Sequence, residues 1–424
     1  MSSTIAGASP ALLRRPSGLR RVLPWVAASV VLAGMPLVLT SGTALTIMSL
    51  MGIAIIFALS YNMLLGQTGL LSFGHAVYYG LGAFCAVHAM NAVIAARLPI
   101  PLVLIPLVGG VAGLAFGLLF GSVSTRRAGT AFSMISLGLG ELVASSANVL
   151  HSFFGGEEGI TTNRAKLFRM FDLSFGPQIQ VYYLIAAWCL LCALLMYGLT
   201  RTPLGRICNA TRDNPERVQF LGYDPHRVRL MAFALSALFA GIAGALAAID
   251  FEIVNSAYVG AAQSGTVLLA AFIGGTRFFA GPIVGAVLVT YLQTMLSDHT
   301  EIWQLYFGLI FIGVVMFAPG GIAGLVAMHA PLWRARTLAR VAPAYALGLL
   351  PVAASVVGAI LLIEMTFHAL VKAGDDPVMT IWSVPLDVSA PLSWLGALLL
   401  FVCGLGGLRV ATPVIARAFA NAAA

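Results

Sequence analysis

The stretch LLGQTGLLSFGHAVYYGLGAF, residues 64–84, sets Gln67, Ser72 and His75 among five glycines. An amide, a hydroxyl and an imidazole can hold a small polar solute, or they can satisfy backbone groups released where a helix breaks. Glycine weakens a helix interior by roughly 1 kcal/mol relative to alanine, and buried polar groups are unfavourable without partners. A second candidate is Glu141 in SLGLGELVASSANV, an acid in the middle of an apolar run. Such an acid marks an ion or proton site, or is a structural group bonded to a neighbouring serine or backbone atom. Asp250 and Glu252 fall at an outer span end where water is available, and Glu364 falls near the outer end of a late span. Cys189 and Cys192 have C-x-x-C spacing but lie in an apolar helix pattern without basic neighbours. They read as small packing residues rather than a redox pair.

The elements that position these residues are membrane spans. Of 424 residues, 60% are hydrophobic and 9% charged, against about 25% charged in soluble domains. With roughly 20 apolar residues per crossing, the chain is an all-α polytopic membrane protein of about ten to twelve helices, some broken or short. Apolar runs cover 23–40, 43–65, 73–96, 99–121, 128–150, 180–199, 230–250, 264–275, 281–297, 303–327, 342–363 and 390–408. The runs 264–275 and 281–297 are short and suit broken helices or a tilted hairpin. With the N-terminus inside, 18 of the 23 lysines and arginines fall on cytoplasmic segments. That bias predicts both termini in the cytoplasm. It also accounts for the net charge of +8 without a nucleic-acid partner. The first run follows Arg20 and Arg21 but has no convincing small-residue cleavage site, so it reads as an uncleaved span behind a cytoplasmic tail, 1–22.

One long charged cytoplasmic loop, 201–229, separates the spans. Asn214 followed by Pro215 reads as an N-cap with proline at the first helical position, and Gly222 as a stop. The predicted helix, about 215–221, carries the charges of Glu216 and Arg217 beside apolar Val218, Phe220 and Leu221. It is either a solvated positive-inside loop or a docking helix for a cytoplasmic partner.

Active transport needs an energy source, and the chain holds none. A P-loop requires G-x-x-x-x-G-K-[ST], whereas the two lysines, Lys166 and Lys372, follow no glycine and lie outside. There is no H-E-x-x-H zinc site, no fitting G-x-S-x-G, and no polar stretch long enough for a soluble catalytic domain. The chain therefore reads as a non-enzyme without a cofactor of its own.

Several stretches, in order over about 45–328, together resemble the permease subunits of bacterial ABC importers for branched-chain amino acids, on the LivM side of that pair. GQTGLLSFGHA is similar to the family's G-Q-x-G-x-x-S-F-G-H-A segment. RRAGTAFSMISLGLGELV resembles R-x-R-G-x-x-F-x-x-x-T-L-x-F-x-E, with Ser136 for threonine and Glu141 at the acidic position. FFGGEEGI resembles T-G-G-x-x-G-I, with Phe154 in the first place. TPLGRICNATRDNPERVQFLGYD resembles the coupling loop, although Pro215 interrupts its D-N-E order and Val218 and Gln219 take small-residue places. AFALSALFAGIAGALAA, IGGTRFFAGPIVGAVLV (Arg277 replacing a glycine) and FAPGGIAGL resemble the later elements.

The resemblance implies one half of a heterodimeric pore. The partners it implies are a second, LivH-like permease, two ATPase subunits (LivG- and LivF-like) that use the ATP, and an external substrate-binding protein. It implies that Arg206, Arg212, Asp213, Asn214, Glu216, Arg217, Phe220 and Gly222 form the ATPase-coupling loop. Gly66–Ser72 and Gly274–Ala280 fall at equivalent turns in two halves, and both carry Gly-x-Thr. Glycine breaks at corresponding positions point to a translocation path, for which Gln67, Ser72, His75, Glu141, Gly274 and Gly275 are the candidates. Ser72 suits an N-cap for a helix starting at Phe73. His75 is either bonded within the bundle or lines the path.

The permease core is expected over 23–330. Beyond it, 331–424 adds a basic linker with Arg334, Arg336 and Arg340 and two further spans around an outer loop holding Asp375 and Asp376. This extension packs beside a partner or is a lipid-facing addition. The function expected is inward translocation of branched-chain or related amino acids across the bacterial inner membrane. The alternatives are a permease for urea or short amides and a stand-alone secondary transporter. The latter predicts several buried acids; a non-transporting scaffold would need no matched glycine breaks.

Overall fold

The computed structural model describes residues 18–156, 158–168, 174–318, 320–334, 337–372, 378–381 and 384–423. The tail 1–17 with Arg14 and Arg15, and also Arg169, Arg336, Asp375 and Asp376, lie outside the described residues. The chain divides into two units, Met1–Gly324 and Leu325–Ala424.

The first unit is helical. Its helices are α1 (Gly18–Val38), α2 (Gly42–Thr68), α3 (Ala76–Ala95), α4 (Ile105–Ser124), α5 (Thr130–Val149) and the short α6 (His151–Phe154). Then come α7 (Gln178–Arg201), α8 (Pro203–Asp213), α9 (Pro215–Phe220), α10 (Pro225–Phe251), α11 (Ala261–Gly274), α12 (Gly281–Ser297) and α13 (Trp303–Phe317). Two short strands, β1 (Ile160–Thr161) and β2 (Ile253–Val254), pair antiparallel. The division between the units falls within α14 (Gly321–Arg334).

The predicted spans fall near the apolar runs, although α16 continues past 408 to Ala423, and in two places the number of helices differs. The run 303–327 is two helices, broken around Gly321, whose φ is +62°. A side chain there would meet the Gly275 amide nitrogen at 2.5 Å, so close backbone packing interrupts a run that hydropathy reads as continuous. The charged loop 201–229 holds two helices, since α8 precedes the predicted one.

The core forms around α10, which is buried along most of its length against α2, α3 and α4. Small residues make this possible. A Cβ on Gly82 of α3 would stand 2.5 Å from the Gly241 Cα of α10, and one on Gly109 of α4 would stand 2.5 Å from the Ala245 Cβ. Lipid tails are as apolar as leucine, so spans associate through such close packing rather than through water exclusion. Large side chains fill the rest; Phe84, Phe132, Phe233 and Ile56 are fully buried. Cys189 and Cys192 are buried and unbridged.

In the second unit, α15 (Leu338–Phe367) lies along α16 (Pro391–Ala423). Gly358 meets the Phe401 backbone, and Gly404 meets Ser355 and Pro351. Strands β3 (Val378–Ile381) and β4 (Val384–Asp387) form an antiparallel hairpin. Met365, Met379 and Ala397 make a small core, and Leu332, Val341 and Ala422 make another.

Candidate functional site: the glycine break and the helices that close it

The α2 helix ends in a left-handed glycine cap. Gly69 adopts φ +71°, its N–H bonds Leu65 O at 3.0 Å, and the Leu70 N–H bonds Leu64 O at 3.3 Å. Seven residues, 69–75, separate α2 from α3. Non-helical backbone within an apolar bundle must find partners in the protein, and here side chains from distant helices supply them. Ser133 Oγ of α5 donates to Leu71 O at 2.7 Å, and Tyr61 Oη of α2 donates to Ser72 O at 3.1 Å. The Phe73 N–H donates to Ser136 Oγ at 3.1 Å, and the Ala76 N–H to Ser264 Oγ of α11 at 3.0 Å.

These bonds correct the expectation for Ser72. Helix α3 starts at Ala76 rather than Phe73, and Ser72 Oγ is buried and unpartnered among the described residues. The capping hydroxyls come instead from Ser136 and Ser264, because they reach the amides that face inward. His75 is fully buried. Its Nε2 lies 3.1 Å from Ser60 Oγ and 3.5 Å from Ser236 Oγ, and its ring stacks on Phe57 at 5.6 Å between centroids. Ser236 Oγ also donates to Ser60 O at 2.5 Å, so the α10 core is stitched to α2 beside the imidazole.

The two Gly-x-Thr turns meet. A Cβ on Gly66 would stand 2.7 Å from the carbonyl oxygen of Thr276, and it would also meet Asn62 Oδ1. Gly275, at φ +103°, packs on Gly320, while Gly274 packs on Gly281. Gln67 is partly buried in a narrow crevice lined also by Met63 and by Gly205 and Cys208 of α8.

Glu141 stands apart from this group. Its neighbour Gly140 packs on Gly74, but the glutamate is on the opposite, exposed face of α5 with Leu137, Gly138 and Leu142. That face leaves a carboxylate uncovered in mid-span, where lipid cannot solvate it.

In the charged loop, Asn214 Oδ1 accepts the Arg217 N–H at 3.0 Å and caps α9, and Gly222 turns the chain at φ +84°. Val218 is buried, whereas Phe220 is 91% exposed beside exposed Leu221 and Tyr223. Arg206, Asp213, Glu216 and Arg217 are exposed. Helix α8 is seated by Cys208 against Val228 and Ala232 of α10, and burial pushes the Cys208 thiol up to about 11. Arg212 turns toward the bundle, and its Nη1 donates to the Gly66 carbonyl.

At the far end of α10, the expectation of a wet acid is overturned. Asp250 is 8% exposed and accepts from Gln178 Nε2 at 2.7 Å. Buried Arg164 donates to the carbonyls of Ile249 and Asp250 at 3.0 and 2.8 Å, and Glu252 Oε1 accepts the Arg164 N–H at 2.7 Å. The described parts of the preceding loop, 160–168 and 174–177, fold over this end and exclude the water that hydropathy alone predicts.

Sequence reasoning passed over Ser133, Ser264, Asn62 and Arg164. Their signal was polarity within or beside apolar runs, the same signal that singled out His75. Among the described residues no cluster of His, Cys, Asp or Glu could hold a metal ion.

A family profile described as "Branched-chain amino acid transport system / permease component" matches residues 43–320. The chain is 28% identical over 330 residues to the high-affinity branched-chain amino acid transport system permease protein LivM of Escherichia coli (strain K12), covering 72% of this chain and 76% of that one. It is 24% identical over 283 residues to the permease protein BraD of Pseudomonas aeruginosa, covering 63% and 91%. A probable LivH permease of Methanocaldococcus jannaschii is 24% identical over 287 residues, covering 64% and 88%. No solved structure matches. The glycine break, its serine caps and the seated α8–α9 pair all lie within the matched residues, and the chain belongs to the branched-chain amino acid transport permease family, as a multi-pass membrane permease subunit rather than an enzyme.

Proposed function

We propose that this chain is one of two permeases in an ABC importer that carries branched-chain or closely related amino acids inward across the bacterial inner membrane. A second permease of the same family completes the path, two ATPase subunits bind beneath α8 and α9, and an external binding protein delivers the substrate. Both termini then lie in the cytoplasm. The observation that carries the reading is the tip of α9. Phe220, Leu221 and Tyr223 project from the end of a capped, well-seated helix and are exposed among the described residues. Exposed apolar side chains on a charged loop favour a protein partner, and the chain has no ATP-binding motif of its own.

The path runs beside the glycine break, with Gln67, Ser72, His75, Gly274 and Gly275 around its closed end. Glu141 faces the second permease or the water of the path, since either relieves a carboxylate that lipid cannot hold. Purification from native membranes in mild detergent, with partners identified by mass spectrometry, tests the assembly. Recovery of P-loop ATPases and a second permease is expected. Recovery of the chain alone, active after reconstitution, contradicts it.

A further inference from the structure

Arg212 is the penultimate residue of α8, the helix that leads into the exposed tip of α9. Its side chain reaches back to the bundle. Nη1 donates to the carbonyl of Gly66 in the last turn of α2, and its stem covers Gly69, where a Cβ would meet Arg212 Cγ at 2.9 Å. Arg212 is exposed on its other side, where Asp213 Oδ1 accepts from its Nε at 3.1 Å. The last carbonyls of a helix lack intrahelical donors and carry partial negative charge, so a guanidinium is a strong partner for them. Only arginine can serve the aspartate and the carbonyl at once through its fork of donors. On its other side Gly66 abuts the Thr276 carbonyl in the turn between α11 and α12. One side chain thus joins α8–α9 to the point where the two glycine turns touch.

We propose that Arg212 is a positioning residue that transmits movement of α8–α9 to the inner end of α2 and through Gly66 to the α11–α12 turn. It acts on the path rather than on the ATPase surface. The proposal rests on the reading that ATPases dock at α9. It differs from a docking role in what its loss does: hydrolysis continues, but it no longer drives movement of the path.

The test uses the whole complex in proteoliposomes, with uptake of a branched-chain amino acid and ATP hydrolysis measured on the same preparation. For Arg212→Gln, retained ATPases, hydrolysis within twofold of wild type and at least a tenfold fall in uptake per ATP are expected. Arg212→Lys keeps the charge and the stem and should fall between the two. Uptake per ATP unchanged in Arg212→Gln overturns the proposal, as does loss of hydrolysis and uptake by the same factor. If Arg212→Gln does not reach the membrane, Arg212→Lys decides the matter alone: wild-type uptake per ATP overturns the relay, and a clear fall supports it. A wild-type complex without ATPases contradicts the assembly itself, whereas ATP-driven wild-type uptake with indifferent Arg212 variants removes only the relay.

Discussion

Gly66 of α2 packs directly on the carbonyl of Thr276, so close that a single added carbon would stand 2.7 Å from that oxygen. The contact joins the two glycine turns that the sequence marks as equivalent, and it makes a side chain at Gly66 intolerable without movement of one turn. Overpacking of this kind typically destabilises by about 1–3 kcal/mol. Gly66→Ala is therefore expected to lower the thermal unfolding midpoint in detergent, and Gly66→Val to lower it further. An unchanged midpoint in Gly66→Val would show that the turns do not meet.

The serines that close the break are expected to matter more than the serine within it. Ser264→Ala leaves the Ala76 amide unsatisfied in a buried place, a loss of about 1–3 kcal/mol. Ser72 Oγ makes no hydrogen bond among the described residues, so Ser72→Ala should be near neutral. Chemical or thermal unfolding of the two variants side by side checks the order; Ser72→Ala as the more damaging change would contradict the geometry.

Phe220 is almost fully exposed at the end of α9 among the described residues. Phe220→Ser should leave the stability of this chain within about 0.5 kcal/mol, yet reduce the ATPase recovered on purification by at least tenfold. Wild-type recovery would move the docking surface elsewhere.

Cys208 reports whether α8 is seated. Burial raises its thiol from the usual 9.0 to about 11, against a weaker opposing backbone hydrogen bond. The folded chain thus holds this proton more tightly than the unfolded one. The stability linked to it is fully present below pH 9 and is lost as pH rises toward 11. Since the thiolate is the nucleophile, maleimide labelling of Cys208 at pH 7.5 should be at least about tenfold slower in the folded chain than after denaturation. Equal rates would mean that α8 does not rest on α10.

Much of this molecule is legible in its sequence because membrane spans are read from composition. The apolar runs locate the helices, and Asn214, Pro215 and Gly222 locate α9 through capping chemistry that acts within a few residues. What stays hidden is non-local. Nothing near Ser72 says that the amides beside it are taken by Ser136 and Ser264. Nothing in the acids of IDFEI says that Arg164, from a separate loop, covers Asp250. The break around Gly321 is likewise a consequence of packing on Gly275, and α8 is lost to hydropathy because its seated face is narrow and its remainder charged. Glu141 stands out in the sequence as a mid-span acid, but its outward orientation requires the helix packing.

The central claim is that this permease moves amino acids inward only with energy supplied by partner ATPases. The most direct test reconstitutes the complex purified from its own membranes, with its binding protein, into vesicles and follows a labelled branched-chain amino acid. Accumulation that requires ATP on the ATPase side, and that ceases when the chain is reconstituted alone, is the predicted result. Accumulation by the isolated chain, driven by a proton or sodium gradient and abolished by Glu141→Gln, would contradict it.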